Sequence, residues 1–429
     1  MLQKGVTLSK SVKVYRYLIN RFRLSARKDS IMENWIDINK FHTFSIKRYY
    51  ISKIEPKDVT IRMLLLNYFQ ISSYKYRTEE DMVRVCEDLY DFNYSVKWDL
   101  HGTYWMIAFQ GNAIDPKYIN DKDYNEDKVF NVFEDLATPL VINNKLDKKT
   151  FTKAKRHLKA TIQKMDKYPQ AKATAYALHL YFKDTIRDYS PFGNLEELNR
   201  ITIEDLYQYY LKFMKSEVIT IVLGNSLAHR DFIDTVTPHN DHNFIDRAIL
   251  DKDIYLYPYK SKQLSLRIIY DTNIFTGDKD MYAISLYNYY LGSSAYSYLF
   301  RTVREKYGLC YSISSDAYGA SGILLVSAEI KKKDLKIAIE KIDEAIDCSL
   351  ESFDLEKMKR VVSLTHKASY DNQGAYISDL LVKKAFPIAY DSDTFIKNIE
   401  EVTMDDIKRV VHALKGKKKV FGYGGDQDE

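Results

Sequence analysis

The sequence predicts an α+β protein built from two homologous domains, each a mainly antiparallel sheet with helices packed on one face. Three observations carry this. The chain has 429 residues, enough for two cores and too many for one ordinary one. It repeats itself internally at a spacing of about 200 residues. Its strand-like and helix-like segments are mixed without the strict alternation that marks a parallel sheet.

The repeat comes first, because missing it would misassign the whole fold. ITIEDLYQYYLKFMKSEVITIVLGN begins at 201 and VTMDDIKRVVHALKGKKKVFGYGGD at 402, a displacement of 201 positions. Both open with a threonine and a carboxylate three residues on, Thr202 with Asp205 and Thr403 with Asp406. At that spacing the two side chains satisfy each other's backbone N–H at a helix start. Both segments then run through one helix into a short apolar strand that ends at glycine. TKAKR at 152–156 matches EKMKR at 356–360, displaced by 204 positions. Two similar offsets point to duplication, against the competing reading of a chance likeness between capped helices.

GTYWMIAFQ (102–110) and GILLVSAEI (322–330) are predicted strands from their β-branched and aromatic content and two-residue period. Thr78 caps a predicted helix whose Met82, Val85, Cys86 and Leu89 share one face, and Leu335, Ala338, Ile339, Ile342 and Ile346 do the same in the second half. Both stripes are predicted core. The polar, aperiodic stretch 226–262 is the predicted linker between a first domain, 1–225, and a second, 263–429.

Composition narrows the function classes. Hydrophobic residues are 45% and charged residues 29%, ordinary globular usage. The 64 basic and 59 acidic residues are interleaved and leave a net charge of +5, so no single-sign field marks a nucleic-acid partner. Three cysteines, Cys86, Cys310 and Cys348, stand far apart in no metal-ligand spacing; a reducing compartment, the cytoplasm, is the expected location. No segment approaches the length of an apolar membrane span.

LGSSAYSYLFRTVREKYGLCYSISS (291–315) is the most informative stretch. Ser297 to Lys306 is predicted helix, Gly308 suits the position just past a helix end, and Leu309 to Ser315 is predicted extended. Arg304 then falls in the last helical turn and Tyr311 early in the next strand. This stretch resembles the second domain of the insulinase-like (pitrilysin) zinc peptidases: a glycine-containing turn, Leu-Phe, Val-Arg-Glu-Lys, Gly-Leu, a small residue and Tyr. KATAYALHLYF (172–182), YSPFGNLEELNRIT (189–202) and VLGN (222–225) resemble the family's first domain after its metal motif, and 354–381 its late second-domain helices. The resemblance implies two such domains facing each other like a clamshell.

It also implies a zinc motif, HxxEH, in the first domain: two histidines on one helical face as ligands, a glutamate as general base and a later glutamate as third ligand. Set against the family, Leu64, Asn67 and Tyr68 stand where His, Glu and His are needed, and Ala160 and Thr161 near the later glutamate. Leucine offers no lone pair, and asparagine no basic carboxylate. The nine histidines stand at 42, 101, 157, 179, 229, 239, 242, 366 and 412, no two of them four apart, so HxxEH occurs nowhere. His239 and His242 are the one close pair, and they fit a surface loop better than a zinc site. No metal or other cofactor is expected on this chain.

The resemblance places Arg304 and Tyr311 where the family's second domain reaches a metal-bound peptide. A guanidinium and a phenol there can donate hydrogen bonds to a peptide carbonyl and the oxyanion formed at it. Taken without the motif around them, Arg304 would only complement a helix C-terminus and Tyr311 only pack in a strand. In several members, the mitochondrial processing peptidase and paired bacterial peptidases among them, one chain holds the zinc motif and the other supplies Arg and Tyr. The expectation is therefore a metal-free, non-catalytic subunit that forms a heterodimer with an HxxEH-bearing partner holding the zinc, and that helps to bind an extended peptide. Bacteriocin maturation is one peptide-processing role the paired relatives suggest. The alternative is a structural or peptide-binding scaffold, as in the respiratory-complex subunits of this fold. The first 30 or so residues resemble the family least.

Overall fold

The structure is a computed structural model that describes residues 34–165, 167–225, 227–232, 234–239, 246–387 and 392–426. The N-terminal segment singled out above and His242 lie outside the described residues.

In chain order the first half contributes β1 (Trp35–Asp37), β2 (Thr43–Lys53), α1 (Val59–Phe69), α2 (Glu79–Glu87), β3 (Asn93–His101), β4 (Tyr104–Ile114), α3 (Glu126–Ala137), the short pair β5 (Val141–Ile142) and β6 (Lys145–Leu146), α4 (Lys148–Met165), α5 (Pro169–Tyr181), α6 (Leu195–Arg200), α7 (Ile203–Phe213) and β7 (Glu217–Gly224). The second half contributes β8 (Ile254–Tyr257), β9 (Leu264–Asp271), α8 (Asp280–Asn288), β10 (Cys310–Tyr318), β11 (Ile323–Ile330), α9 (Leu335–Cys348), α10 (Leu355–Ser369), α11 (Gln373–Ala385), α12 (Ser392–Glu401), α13 (Met404–Leu414) and β12 (Lys418–Gly424). Two π-helical stretches, Tyr289–Ser293 and Phe300–Lys306, lie between α8 and β10.

Each half builds a five-stranded sheet, and the two sheets have one topology. Their orders are β1-β7-β2-β4-β3 and β8-β12-β9-β11-β10. In each, the first pair is parallel and the other three are antiparallel. The predicted capping residues do the same work twice. Asp205 accepts from Thr202 N at 2.8 Å and Asp406 from Thr403 N at 2.7 Å, while each threonine hydroxyl accepts from the carboxylate residue's N–H. The helices they start, α7 and α13, lead into the equivalent strands β7 and β12. The duplication seen as sequence likeness is thus a duplication of fold.

The chain forms two compact units that are not continuous in sequence. One holds residues up to Ile162, Pro191–Pro238 and Gln373–Ala385; the other holds Gln163–Ser190, His239–Asn372 and the residues from Phe386 on. A division at 225 and 263 is linear, whereas the compact units exchange α5 and α11. Spacing along the sequence carries no signal for which sheet a helix lands on, so pattern alone does not show this.

The exchange explains strand composition in the second unit. Leu266, Ile268 and Tyr270 of β9 join Leu324 and Val326 of β11 in the main core. The alternate residues Ile269, Ile323 and Leu325 lie under Ala177 and Tyr181 of α5. A strand covered on both faces is apolar nearly throughout, which is how LRII and ILLV read. In the first unit, Phe44 of β2 packs toward Phe130 of α3, while its neighbour Ser45 turns to the other face and meets α11.

Candidate functional site

The residues at the zinc-motif positions are built into the first unit as packing. Leu64 and Tyr68, one helical turn apart on α1, are both fully buried. The Tyr68 hydroxyl donates to Leu140 O at 2.6 Å and accepts from Asp147 N at 2.8 Å. It thereby ties α1 to the entry of α4, where Asp147 caps the helix by accepting from Thr150 N at 2.8 Å. Burial pushes the phenol well above its ordinary range. The Asn67 amide donates to Met63 O within its own helix at 2.8 Å. Thr161 lies on α4. No side chain in this set offers zinc a free basic donor: Leu64 is aliphatic, Tyr68 is a phenol already bonded twice, Asn67 is an amide turned to its own backbone, and Thr161 has only a hydroxyl. These residues do not fit the family's metal. Among the described residues, no three His, Cys, Asp or Glu side chains form a group able to hold a metal ion.

Arg304 and Tyr311 belong to the second unit and flank one tight turn of the chain. The helix carrying Arg304 ends in π geometry, with Tyr307 N bonded to Thr302 O at 3.2 Å, five residues back. Gly308 then takes φ +63°, with its N–H bonded to Arg304 O at 3.0 Å, and Leu309 N reaches Val303 O at 3.2 Å. This is the left-handed glycine stop expected at that position, one residue wider than after an α-helix. Arg304 remains reachable. Its guanidinium stacks over Phe300 at 4.5 Å, and a carboxylate neighbour, Glu305, is 3.9 Å away.

Tyr311 sits at a β-bulge. Cys310 pairs with Ile330 and Ser312 with Glu329, so Tyr311 is the extra residue with no partner across the ladder. A bulge re-aims the side chain it carries, and here it leaves the phenol 73% exposed. Cys310 beneath it turns inward, where burial pushes its thiol up to about 11 against the opposing pull of Arg304. Two donors, one cationic and one phenolic, therefore flank the turn that leads into an edge strand, and the phenol faces solvent.

A clamp not seen in the sequence holds β10 against the end of α8 and the first π-helical stretch. Ser315 of β10 donates to Asn288 Oδ1 at 2.7 Å. A Cβ on Gly292 would lie 2.7 Å from Ser315 Cβ and closer still to its Oγ and backbone nitrogen. Gly292 is thus required for the first π-helical stretch to lie on the strand. The one signal for it was a glycine inside a helical pattern.

Residues 200–364 match the domain family described as peptidase M16 inactive domain. The chain is 22% identical over 410 residues to a protein of Bacillus subtilis (strain 168) named probable inactive metalloprotease YmfF, covering 90% of this chain and 93% of the relative. A crystal structure of a conserved protein from Enterococcus faecalis V583 superposes with a TM-score of 0.79 at 20% identity, over 92% of this chain and 96% of that one. A peptidase M16 inactive domain from Pseudomonas fluorescens gives 0.68 at 13% identity, with the same coverage. Residues 200–364 thus match the M16 inactive domain, the fold is shared along 92% of the chain, and HxxEH occurs nowhere in the sequence.

Proposed function

We propose that this chain is a non-catalytic subunit of a heterodimeric zinc metallopeptidase. It binds and orients an extended peptide and offers Arg304 and Tyr311 to the active site of an HxxEH-bearing partner. The observation that carries this reading is Tyr311, held 73% exposed by a bulge beside a reachable guanidinium. A residue kept for packing would be buried, and a bulge kept for folding alone has no need of a phenol. The name given to the Bacillus subtilis relative, an inactive metalloprotease, supports the same absence of independent catalysis.

On this reading 1–225 and 263–429 are the duplicated halves, joined by 226–262, and the partner holds the zinc. The setting is the cytoplasm, and processing of a ribosomal peptide, such as bacteriocin leader removal, is the role favoured. A scaffold with no part in hydrolysis is the second reading. It is favoured by the motif positions, where Tyr68 has become a structural tie between α1 and α4.

The test is reconstitution with an HxxEH-bearing chain encoded beside this one. Peptide turnover that needs both chains and falls at least tenfold (about 1.4 kcal/mol) in Arg304→Ala and Tyr311→Phe supports the first reading. Turnover unchanged by both substitutions leaves the scaffold.

A further inference from the structure

Past its bulge, β10 becomes regular. From Ser312 opposite Glu329 to Tyr318 opposite Ile323 the register is unbroken. β10 is the last strand of its sheet, so among the described residues this run has a strand on one side only. Seven extended residues span about 23 Å, room for a peptide of similar length. Backbone pairing at such an edge accepts any sequence, and selection comes from the side chains that flank it.

Alternation settles which side chains those are. Ile313 and Ser315 turn inward, whereas Ser312, Ser314 and Asp316 are exposed on the opposite face. Two serines leave room without preference. Asp316 is the one charge in the row, and among the described residues its carboxylate has neither an ion pair nor a hydrogen bond. Arg267, a cation on the same face of the sheet, is committed elsewhere: to Glu329 at 3.2 Å, Gln170 O at 2.9 Å and Thr174 at 2.9 Å. Partial shielding by the sheet raises the Asp316 carboxyl above its ordinary range.

We infer that the free edge of β10 selects extended peptides carrying a lysine or arginine, and that Asp316 is the residue that reads the cation. The inference rests on the peptide-orienting reading above. A peptide strand laid on this edge shields Asp316 further; a cation placed beside it offsets that cost, and a carboxylate placed there adds to it. Asp316 is five residues beyond Tyr311, about 17 Å along an extended strand. The cation therefore falls roughly five residues from the carbonyl that Arg304 and Tyr311 would hold.

The experiment uses the purified full chain and fluorescein-labelled decapeptides of alanine and serine, each carrying one lysine, norleucine or glutamate scanned along its length. Binding is read by anisotropy at low and high salt. The expected result is that lysine at one favoured position binds about fivefold tighter than glutamate there, about 1 kcal/mol. The difference weakens with salt, disappears in Asp316→Asn and reverses in Asp316→Lys. Equal binding of lysine and glutamate peptides, or a preference that survives Asp316→Asn, overturns the inference. If peptides bind without discrimination, the charge selection falls and the peptide-orienting reading stands. If no peptide binds to the chain, alone or with its partner, both fall.

Discussion

Gln373, the first residue of α11, donates from Nε2 to the carbonyl oxygen of Thr43 at 2.6 Å, joining residues 330 positions apart. Its Oε1 accepts from Asn112 Nδ2 at 2.7 Å and from the Ser45 hydroxyl. One buried amide thus seats the exchanged helix on the face of the first sheet opposite α3. In the second unit Arg267 has the matching role, bonding the first two turns of α5 through Gln170 O and Thr174. Each exchanged helix is anchored at its N-terminal end by a buried polar group.

Gln373→Ala removes four hydrogen bonds and leaves the Asn112 and Ser45 side chains bonded, among the described residues, only to each other beneath α11. The expected cost is about 2–4 kcal/mol, the sum of buried polar groups left unpaired. Urea unfolding followed by intrinsic fluorescence measures it. A change within about 0.5 kcal/mol, the range of an ordinary surface substitution, would show that water replaces the amide.

Arg267→Met leaves Glu329 buried with, among the described residues, only Ser265, which donates to it at 2.5 Å. A loss of about 3–5 kcal/mol is expected, and Arg267→Met with Glu329→Leu should recover much of it, because the stranded charge is then gone. Chemical denaturation of the single and double variants decides between an essential pair and a costly one.

Restoring the motif letters should not restore a metal site. Leu64→His with Asn67→Glu and Tyr68→His places polar groups in a buried helix face and breaks the tie from α1 to Asp147. The variant should lose at least about 3 kcal/mol and bind no stoichiometric zinc, since Thr161 supplies no third ligand. Zinc content after dialysis and the thermal midpoint report both outcomes.

Asp234 accepts from Thr220 N at 3.0 Å, and burial raises its carboxyl from 3.8 to about 6, against the pull of Arg48 and Lys384. A folded value above the unfolded one means that the contribution to stability is complete below pH 3.8 and is lost as pH rises through about 6. Asp234→Asn should therefore stabilise the protein at about pH 7.5 by up to about 3 kcal/mol, with the gain vanishing near about pH 4. Unfolding free energies across that range show the slope or its absence.

Two glycines, one in each π-helical segment's neighbourhood, should respond differently: Gly308 after the second and Gly292 within the first. Gly308 has open space where a Cβ would go and is constrained only by φ +63°, so Gly308→Ala should cost about 1 kcal/mol. Gly292→Ala meets Ser315 directly and should cost more and displace β10. Thermal midpoints rank the two, and amide exchange of Ser312 and Ser314 detects the displacement.

What the sequence determined by itself is whatever short-range pattern encodes. Thr202 with Asp205 and Thr403 with Asp406 fixed two helix starts, because a capping box is closed within four residues. Gly308 marked a helix end because only glycine takes φ +63° freely. The histidine spacings excluded HxxEH because two ligands on one helical face must stand four apart. Tertiary structure decided the rest. The exchange of α5 and α11 depends on Arg267 and Gln373 finding partners about 90 to 330 residues away, a distance over which no period persists. The bulge that exposes Tyr311 arises from an uneven pairing between β10 and β11, and strand register belongs to two segments at once.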